Sequence, residues 1–271
     1  GDVDLVVGDE DGRVALIENT GLLEEQIPVF KSPVYFQQQA DTLKSGALAT
    51  PVGFDWDSDG DYDIVSGNTA GFIEVFENLS GAGVESPRWA APFRLEAGGE
   101  VFRVLAGKNG SIQGPAEAKW GYTTLSIADW DHDGLHDILV NGIWGRIELL
   151  RNIGTRQSPK FATPARISVA WKDKPLKPRW MWWTPEQDEL VTQWRTTPVA
   201  VDWDQDGLTD LVMLDHEGYL SWFRRVRQDG ELSLLGPERV FYSLNNSVTN
   251  SGHGVIDKGP GILRLNNREA G

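Results

Sequence analysis

Residues 55–63 read DWDSDGDYD, five aspartates in nine positions. Carboxylates at that density repel one another and form neither helix nor strand well. Asp55, Asp57, Asp59 and Asp63 fall at loop positions 1, 3, 5 and 9, and Asp61 holds position 7. Acids on alternate residues converge on one point as such a loop curls, and the chemistry that answers to this is a hard divalent cation. Calcium takes six to eight oxygens at about 2.3–2.6 Å, whereas magnesium holds on to its waters and needs fewer protein ligands. Gly60 sits at position 6, where a sharp turn favours a residue without a side chain. Two further loops repeat the pattern: Asp129, Asp131, Asp133 and Asp137 with the Leu135 carbonyl, then Asp202, Asp204, Asp206 and Asp210 with the Leu208 carbonyl. A truncated copy at the start keeps Asp4. Solvated Asp-Gly turns are the plain alternative. Three copies in register favour the cation, in a structural role that couples metal binding to folding.

These loops belong to a longer repeat. Residues 55–78, 129–152 and 202–225 align without a gap, and 1–19 follow the same pattern. The last motif aspartates Asp4, Asp63, Asp137 and Asp210 stand 59, 74 and 73 residues apart. Eight residues after each comes a glycine (Gly12, Gly71, Gly145, Gly218), and fifteen after the first three an asparagine (Asn19, Asn78, Asn152). Between these landmarks an apolar run such as DIVS or DILV precedes a turn and a second run such as FIEVFEN. This is a β-hairpin signature. In the second run Ile73 and Val75 alternate with Glu74, and Ile147 and Leu149 with Glu148, which predicts one buried face. Units of this size suit four-stranded blades stacked about an axis. The expected fold is an all-β propeller of about four blades, at roughly 1–45, 46–118, 119–193 and 194–245, with a further blade beginning at 246–271. The chain reads as a fragment of a longer ring.

The 271 residues carry a net charge of −15, with 30 Gly, 14 Pro, 12 Trp and no Cys. The charge disfavours nucleic acid and anionic membrane surfaces. Disulfide and thiolate chemistry are excluded, and no apolar run approaches the ~20 residues of a membrane helix.

The DxDxDGxxD loop opening a β-hairpin resembles the FG-GAP/VCBS repeat, found in integrin α-subunit propellers and in many secreted bacterial proteins. The resemblance covers nearly the whole chain as repeats. It implies a calcium-bearing propeller, usually of seven blades, with ions in rim loops, in a secreted, cell-surface or periplasmic protein. Trp56, Trp130 and Trp203 at loop position 2 depart from the commoner small or apolar residue, which points to a bacterial subgroup.

Repeated features form scaffold, so ligand contacts are expected where the copies differ: the insertions 95–122 and 165–198. The second contains WKDKPLKPRWMWW, and there Trp171, Lys177, Arg179 and Trp180 are the candidate ligand residues. Rings stack on sugar faces while cations pair with carboxylates. The first insertion offers Lys119, Trp120 and Tyr122. The reading is a binding scaffold for a polysaccharide, acidic ones included, or a protein ligand. The alternatives are a polysaccharide lyase, with Tyr122, Lys119 and His253 as base and cation, and an adhesion module working through protein contacts. His132 and His136, inside a metal loop, and His216, in a hairpin turn, are expected at the surface.

Overall fold

The computed structural model describes residues 3–38, 41–84, 86–111, 114–172, 184–186, 188–243, 247–250, 254–257 and 261–265. Among them the chain is all-β apart from one 3-10 turn at Pro115–Glu117. Its frame is four antiparallel sheets in sequence order. The first holds β1 (Leu5–Gly8), β2 (Val14–Ile17) and β3 (Val34–Tyr35). The second is the meander β4 (Thr50–Phe54), β5 (Asp63–Gly67), β6 (Ile73–Phe76) and β7 (Phe93–Arg94). The third repeats it with β8 (Thr124–Ala128), β9 (Asp137–Asn141), β10 (Glu148–Leu150) and β11 (Ala165–Arg166). The fourth has β12 (Val199–Val201), β13 (Asp210–Leu214) and β14 (Leu220–Phe223), flanked by a bridge from Trp222 to Glu238.

The sheets stack face to face. The leading strands β4, β8 and β12 lie side by side, and apolar side chains fill each space between sheets. Val14, Leu43, Ile64 and Phe76 fill the first space. Trp56, Val65, Val75, Leu125, Ile138 and Val140 fill the second, and Trp130, Leu139, Ile147, Leu211 and Phe223 the third. Neighbouring residues on one strand go to different cores: Ile64 to the first and Val65 to the second, Ile138 to the second and Leu139 to the third. This is why β5 and β9 are continuous apolar runs; a strand covered on both faces has no side free for polar residues. The one-faced burial expected from the alternation at Glu74 and Glu148 is therefore corrected. Both β6 and β10 turn their glutamates into a groove between sheets. The described sheets do not close into a ring.

Each sheet is also crossed at the far end of its central hairpin by the chain leaving it. Bridges join Arg13 to Lys44, Phe72 to Arg103, Arg146 to Val191 and Tyr219 to Arg264. The crossing accounts for the recurrent turn glycine. At Gly71 (φ +83°) a Cβ would lie 2.0 Å from the Val104 carbonyl oxygen, and at Gly12 (φ +80°) 2.0 Å from that of Gly46.

Candidate metal loops and the opposite rim

Each aspartate loop joins the first two strands of a sheet, so all three lie at one end of the stack. Their backbones agree residue by residue. Position 4 is left-handed in every copy (Ser58 φ 60°, His132 60°, Gln205 61°), as is position 6 (Gly60 96°, Gly134 91°, Gly207 87°). A non-glycine residue at positive φ is strained, and three unrelated side chains accept that strain at the same place. At Gly60 and Gly207 a Cβ would meet nothing within 4 Å, so the glycine answers to the dihedral and not to crowding.

The last motif aspartate has a structural task in all four copies. Asp63 Oδ2 accepts the Trp56 N–H (2.8 Å) and Oδ1 the Asn78 N–H (2.8 Å). Asp137 does the same for Trp130 (3.1 Å) and Asn152 (2.7 Å), and Asp210 for Trp203 (3.2 Å) and Arg225 (2.6 Å). Asp4 accepts the Asn19 N–H at 2.8 Å. The carboxylate thus ties the loop to the residue that ends the hairpin. The recurring asparagine adds a turn of its own: Asn19, Asn78 and Asn152 accept the N–H two residues on, at 2.9–3.0 Å. Where arginine replaces it, the Arg225 guanidinium lies 4.1 Å from the Trp130 ring centre.

Two oxygens bound about 2.4 Å from one ion can be no more than about 4.8 Å apart. Three carboxylates meet that limit in each loop: Asp55, Asp57 and Asp63; Asp129, Asp131 and Asp133; Asp202, Asp204 and Asp206. The expected ligand sets converge only in part. Position 9 joins the first trio and position 5 the other two. Asp61 points elsewhere, its Oδ2 accepting the Gly81 N–H at 3.1 Å. At position 7, Leu135 and Leu208 donate their N–H to Asp133 and Asp206 (both 2.9 Å), which holds the loop closed.

A cation fits the first two loops by a separate criterion. Asp55 Oδ1 and Asp129 Oδ1, both at position 1, are buried oxygens with no hydrogen-bond partner. Such atoms are costly unless something unseen satisfies them. The third loop is less prepared. Both oxygens of Asp202 are occupied by the N–H groups of Asp206 and Gly207 (each 3.0 Å), and Arg224 pairs with Asp204 at 2.8 Å. Among the described residues no cation pairs with the first loop's acids, and Arg151 approaches Asp131 at 3.7 Å. Burial pushes the carboxyls of Asp63 and Asp137 up to about 6 against their backbone hydrogen bonds, with neighbouring aspartates adding to it. Burial, then Asp59, raises Asp61 as well. A bound cation would reverse these shifts. Adjacent loops also touch: the Thr209 N–H donates to His132 Nε2 at 3.2 Å.

The described candidate ligand residues of the insertions lie at the opposite end. The Thr69 carbonyl accepts the N–H groups of Gly121 (2.8 Å) and Tyr122 (3.3 Å), which seats 119–122 on the turn after β5. Lys119 is exposed and Trp120 is 37% exposed, its ring 5.8 Å edge-on from Tyr122. Tyr122 is committed inward. Its hydroxyl donates to the fully buried Glu117 at 3.1 Å, and Arg195 pairs with Glu117 at 2.8 Å while stacking 3.5 Å from the tyrosine ring centre. Burial raises the phenol, whereas a general base would need it lowered. Trp171 serves packing: its Nε1 donates to the Glu189 carbonyl at 3.2 Å and its ring meets His216 edge-on at 6.1 Å. His216 is therefore half-buried, contrary to the surface position expected for it, and burial lowers its imidazole. His132 and His136 are exposed, as expected, His136 meeting Phe54 edge-on at 4.9 Å. Lys177, Arg179, Trp180 and His253 lie outside the described residues.

Glu117 and Glu189, the latter paired with Arg146 at 2.8 Å, escape sequence reasoning, because both stand in the insertions and outside the repeat. No family model matches the chain, and neither does any curated protein.

Proposed function

We propose that this chain is part of a calcium-stiffened β-propeller of the FG-GAP/VCBS type, a secreted or cell-surface scaffold that presents the rim opposite its metal loops to a polysaccharide. The observation that supports this most is the threefold recurrence of one strained loop conformation. Each copy gathers three carboxylates within the reach of a single ion, and two of the three leave a buried oxygen unsatisfied. When bound, calcium supplies charge compensation and holds the loop in place, and the chain's own residues do the rest. Asp63, Asp137 and Asp210 fasten each loop to its hairpin, and Trp56 and Trp130 carry the fastening into the next core. Side-by-side leading strands, with a core in every space between sheets, agree with a radial stack. Exposed Lys119 and Trp120 supply a cation and a ring of the kind that binds sugars. The commitment of Tyr122 to Glu117 weighs against the lyase alternative.

Titrating chelator-treated protein with Ca²⁺ and with Mg²⁺, by calorimetry and by melting, tests the reading. Binding that prefers Ca²⁺, at about 10⁻⁴–10⁻³ M as in extracellular modules, and a rise in melting temperature are expected. Flat calorimetry with no thermal shift at several millimolar Ca²⁺ would sink the metal assignment.

A further inference from the structure

The crossing segments make the grooves between sheets directly comparable, position by position. In the groove between the first two sheets, Ser45 from the crossing segment, Asn68 from the hairpin turn and Glu74 from β6 meet. Ser45 Oγ donates to Glu74 Oε2 at 2.9 Å, and Asn68 Nδ2 reaches the same oxygen at 3.4 Å. In the groove between the last two sheets the corresponding residues are Thr192, Asp215 and Ser221. Ser221 Oγ donates to Asp215 Oδ2 at 3.1 Å, and Thr192 bridges Asp215 through the backbone. Five of the six are buried and Glu74 is half-buried, and in each set the carboxylate accepts a side-chain hydrogen bond inside the groove; an arginine adds to it from outside, Arg94 at 3.7 Å from Glu74 and Arg239 at 2.7 Å from Asp215.

The middle groove breaks the pattern. The bridge from Phe72 to Arg103 sets Val104 where Ser45 stands, and the matched hairpins set Gly142 where Asn68 stands and Glu148 where Glu74 stands. The glutamate is kept, yet both partners are replaced by residues with no hydrogen-bonding side chain. The replacements are in contact, since a Cβ on Gly142 would lie 3.0 Å from Val104 Cγ1. The Glu148 carboxylate accepts no hydrogen bond among the described residues. Burial raises its pKa, outweighing the attraction of Arg146 and Arg166. A cavity of about 300 Å³ opens at this spot, lined by Arg103, Val104, Gly142, Trp144, Arg146 and Glu148. Trp144 is steadied as a wall by its Nε1 donating to the Leu105 carbonyl at 2.8 Å. Arg103 is held at the rim by the carbonyls of Ala70 (2.9 Å) and Lys119 (3.0 Å), beside Trp120.

We infer that this groove is a binding subsite for a single pyranose ring, whose hydroxyls supply to Glu148 the donors that serine and asparagine supply to Glu74. The other walls suit the same ligand. Trp144 offers an aromatic surface to a sugar face, and the guanidinium groups of Arg103 and Arg146 donate to ring oxygens or to the carboxylate of a uronic acid. The volume stands at the small end of ligand pockets, enough for one sugar unit with the rest of a chain running out over Trp120. A donor-rich ligand is favoured over an apolar one because an apolar occupant would leave the carboxylate desolvated and unpaired.

The inference rests on the polysaccharide reading above, and one titration separates the two. An oligogalacturonate and a cello-oligosaccharide are titrated by calorimetry into the wild-type chain and into Glu148→Gln, Trp144→Ala and Val104→Ser. Glu148→Gln removes the charge while keeping the shape and is expected to weaken binding about tenfold. Val104→Ser returns the partner seen at Ser45, which competes for Glu148, and is expected to weaken binding. Should Trp144→Ala fail to fold, the other two variants carry the test. Wild-type binding that all folded variants retain overturns the subsite and leaves the polysaccharide reading standing. Binding of neither probe by the wild-type chain overturns both. Preference for one probe tells a uronic ring from a neutral one.

Discussion

Replacing Asp137 by asparagine separates the two tasks of a motif aspartate, tying backbone and carrying charge. Asp137 is fully buried and accepts the N–H groups of Trp130 (3.1 Å) and Asn152 (2.7 Å). Burial, with Asp131 and Asp133 nearby, pushes its carboxyl up to about 6. Relative to an open chain near 3.8, keeping it ionised at pH 7 costs the metal-free fold about 3 kcal/mol. Asparagine keeps the shape and removes that cost. It also gives up one charge-assisted hydrogen bond, about 1.5–3 kcal/mol, and turns its own NH₂ toward a backbone donor. Gain and loss nearly cancel, so in EDTA the variant should unfold within about 1–2 kcal/mol of wild type. With calcium the balance tips. At ten to a hundred times the dissociation constant a bound ion contributes about 1.4–2.7 kcal/mol per site, and the cation has already offset the ionisation cost in wild type. Asp137→Asn should therefore be at least about 2 kcal/mol more damaging in calcium than in EDTA. Urea unfolding followed by tryptophan fluorescence measures both. Equal losses in the two buffers would refute the reasoning and leave Asp137 a backbone clamp in a loop without an ion.

Three further expectations follow from packing and charge. Trp130, 3% exposed between the third and fourth sheets, should cost about 3–5 kcal/mol on change to alanine, whereas Trp203, 49% exposed at the equivalent position, should cost under about 1 kcal/mol in this chain; matching losses would show that the two sites are not distinguished by a covering sheet. Glu117→Ala strands Arg195 and the Tyr122 hydroxyl and should cost about 3–5 kcal/mol, most of it recovered when Arg195 is also made leucine; a double variant no better than the single would contradict this. In EDTA the folded chain holds more protons than the unfolded one between about pH 4 and 6, because Asp63 and Asp137 are raised to about 6. Stability of the metal-free chain should therefore fall as pH rises through that window, and a urea midpoint that climbs instead would contradict it.

What the sequence makes legible is what it repeats. The spacing of Asp63, Gly71 and Asn78, recurring at Asp137, Gly145 and Asn152, announces loop, turn and hairpin end, and the structure gives each landmark a bond or a steric reason. What it conceals is everything set by a neighbouring sheet. Glu74 and Glu148 alternate with apolar residues as if one face met water, yet stacked sheets close over both faces. Trp56, Trp130 and Trp203 occupy one position in the repeat, and only the first two have a following sheet against them. Glu117 stands in an insertion with no periodicity, so nothing local reveals that Arg195, 78 residues away, neutralises it. His216 looks like a turn residue because its partner, Trp171, belongs to another repeat.

The same comparison separates scaffold from specificity by physical cause. At the loop end a substitution disturbs two backbone hydrogen bonds and a charge cluster at once, so the copies there stay alike. At the other end each groove needs only to satisfy its own polar atoms, and three different triplets occur: Ser45, Asn68 and Glu74; Val104, Gly142 and Glu148; Thr192, Asp215 and Ser221. In two of these the carboxylate is hydrogen-bonded by its own groove, by Ser45 at Glu74 and by Ser221 at Asp215. The middle one retains an acceptor and discards its donors, an arrangement that costs stability unless a donor arrives from outside. The groove that carries this cost, beside two that do not, is where the proposed subsite stands.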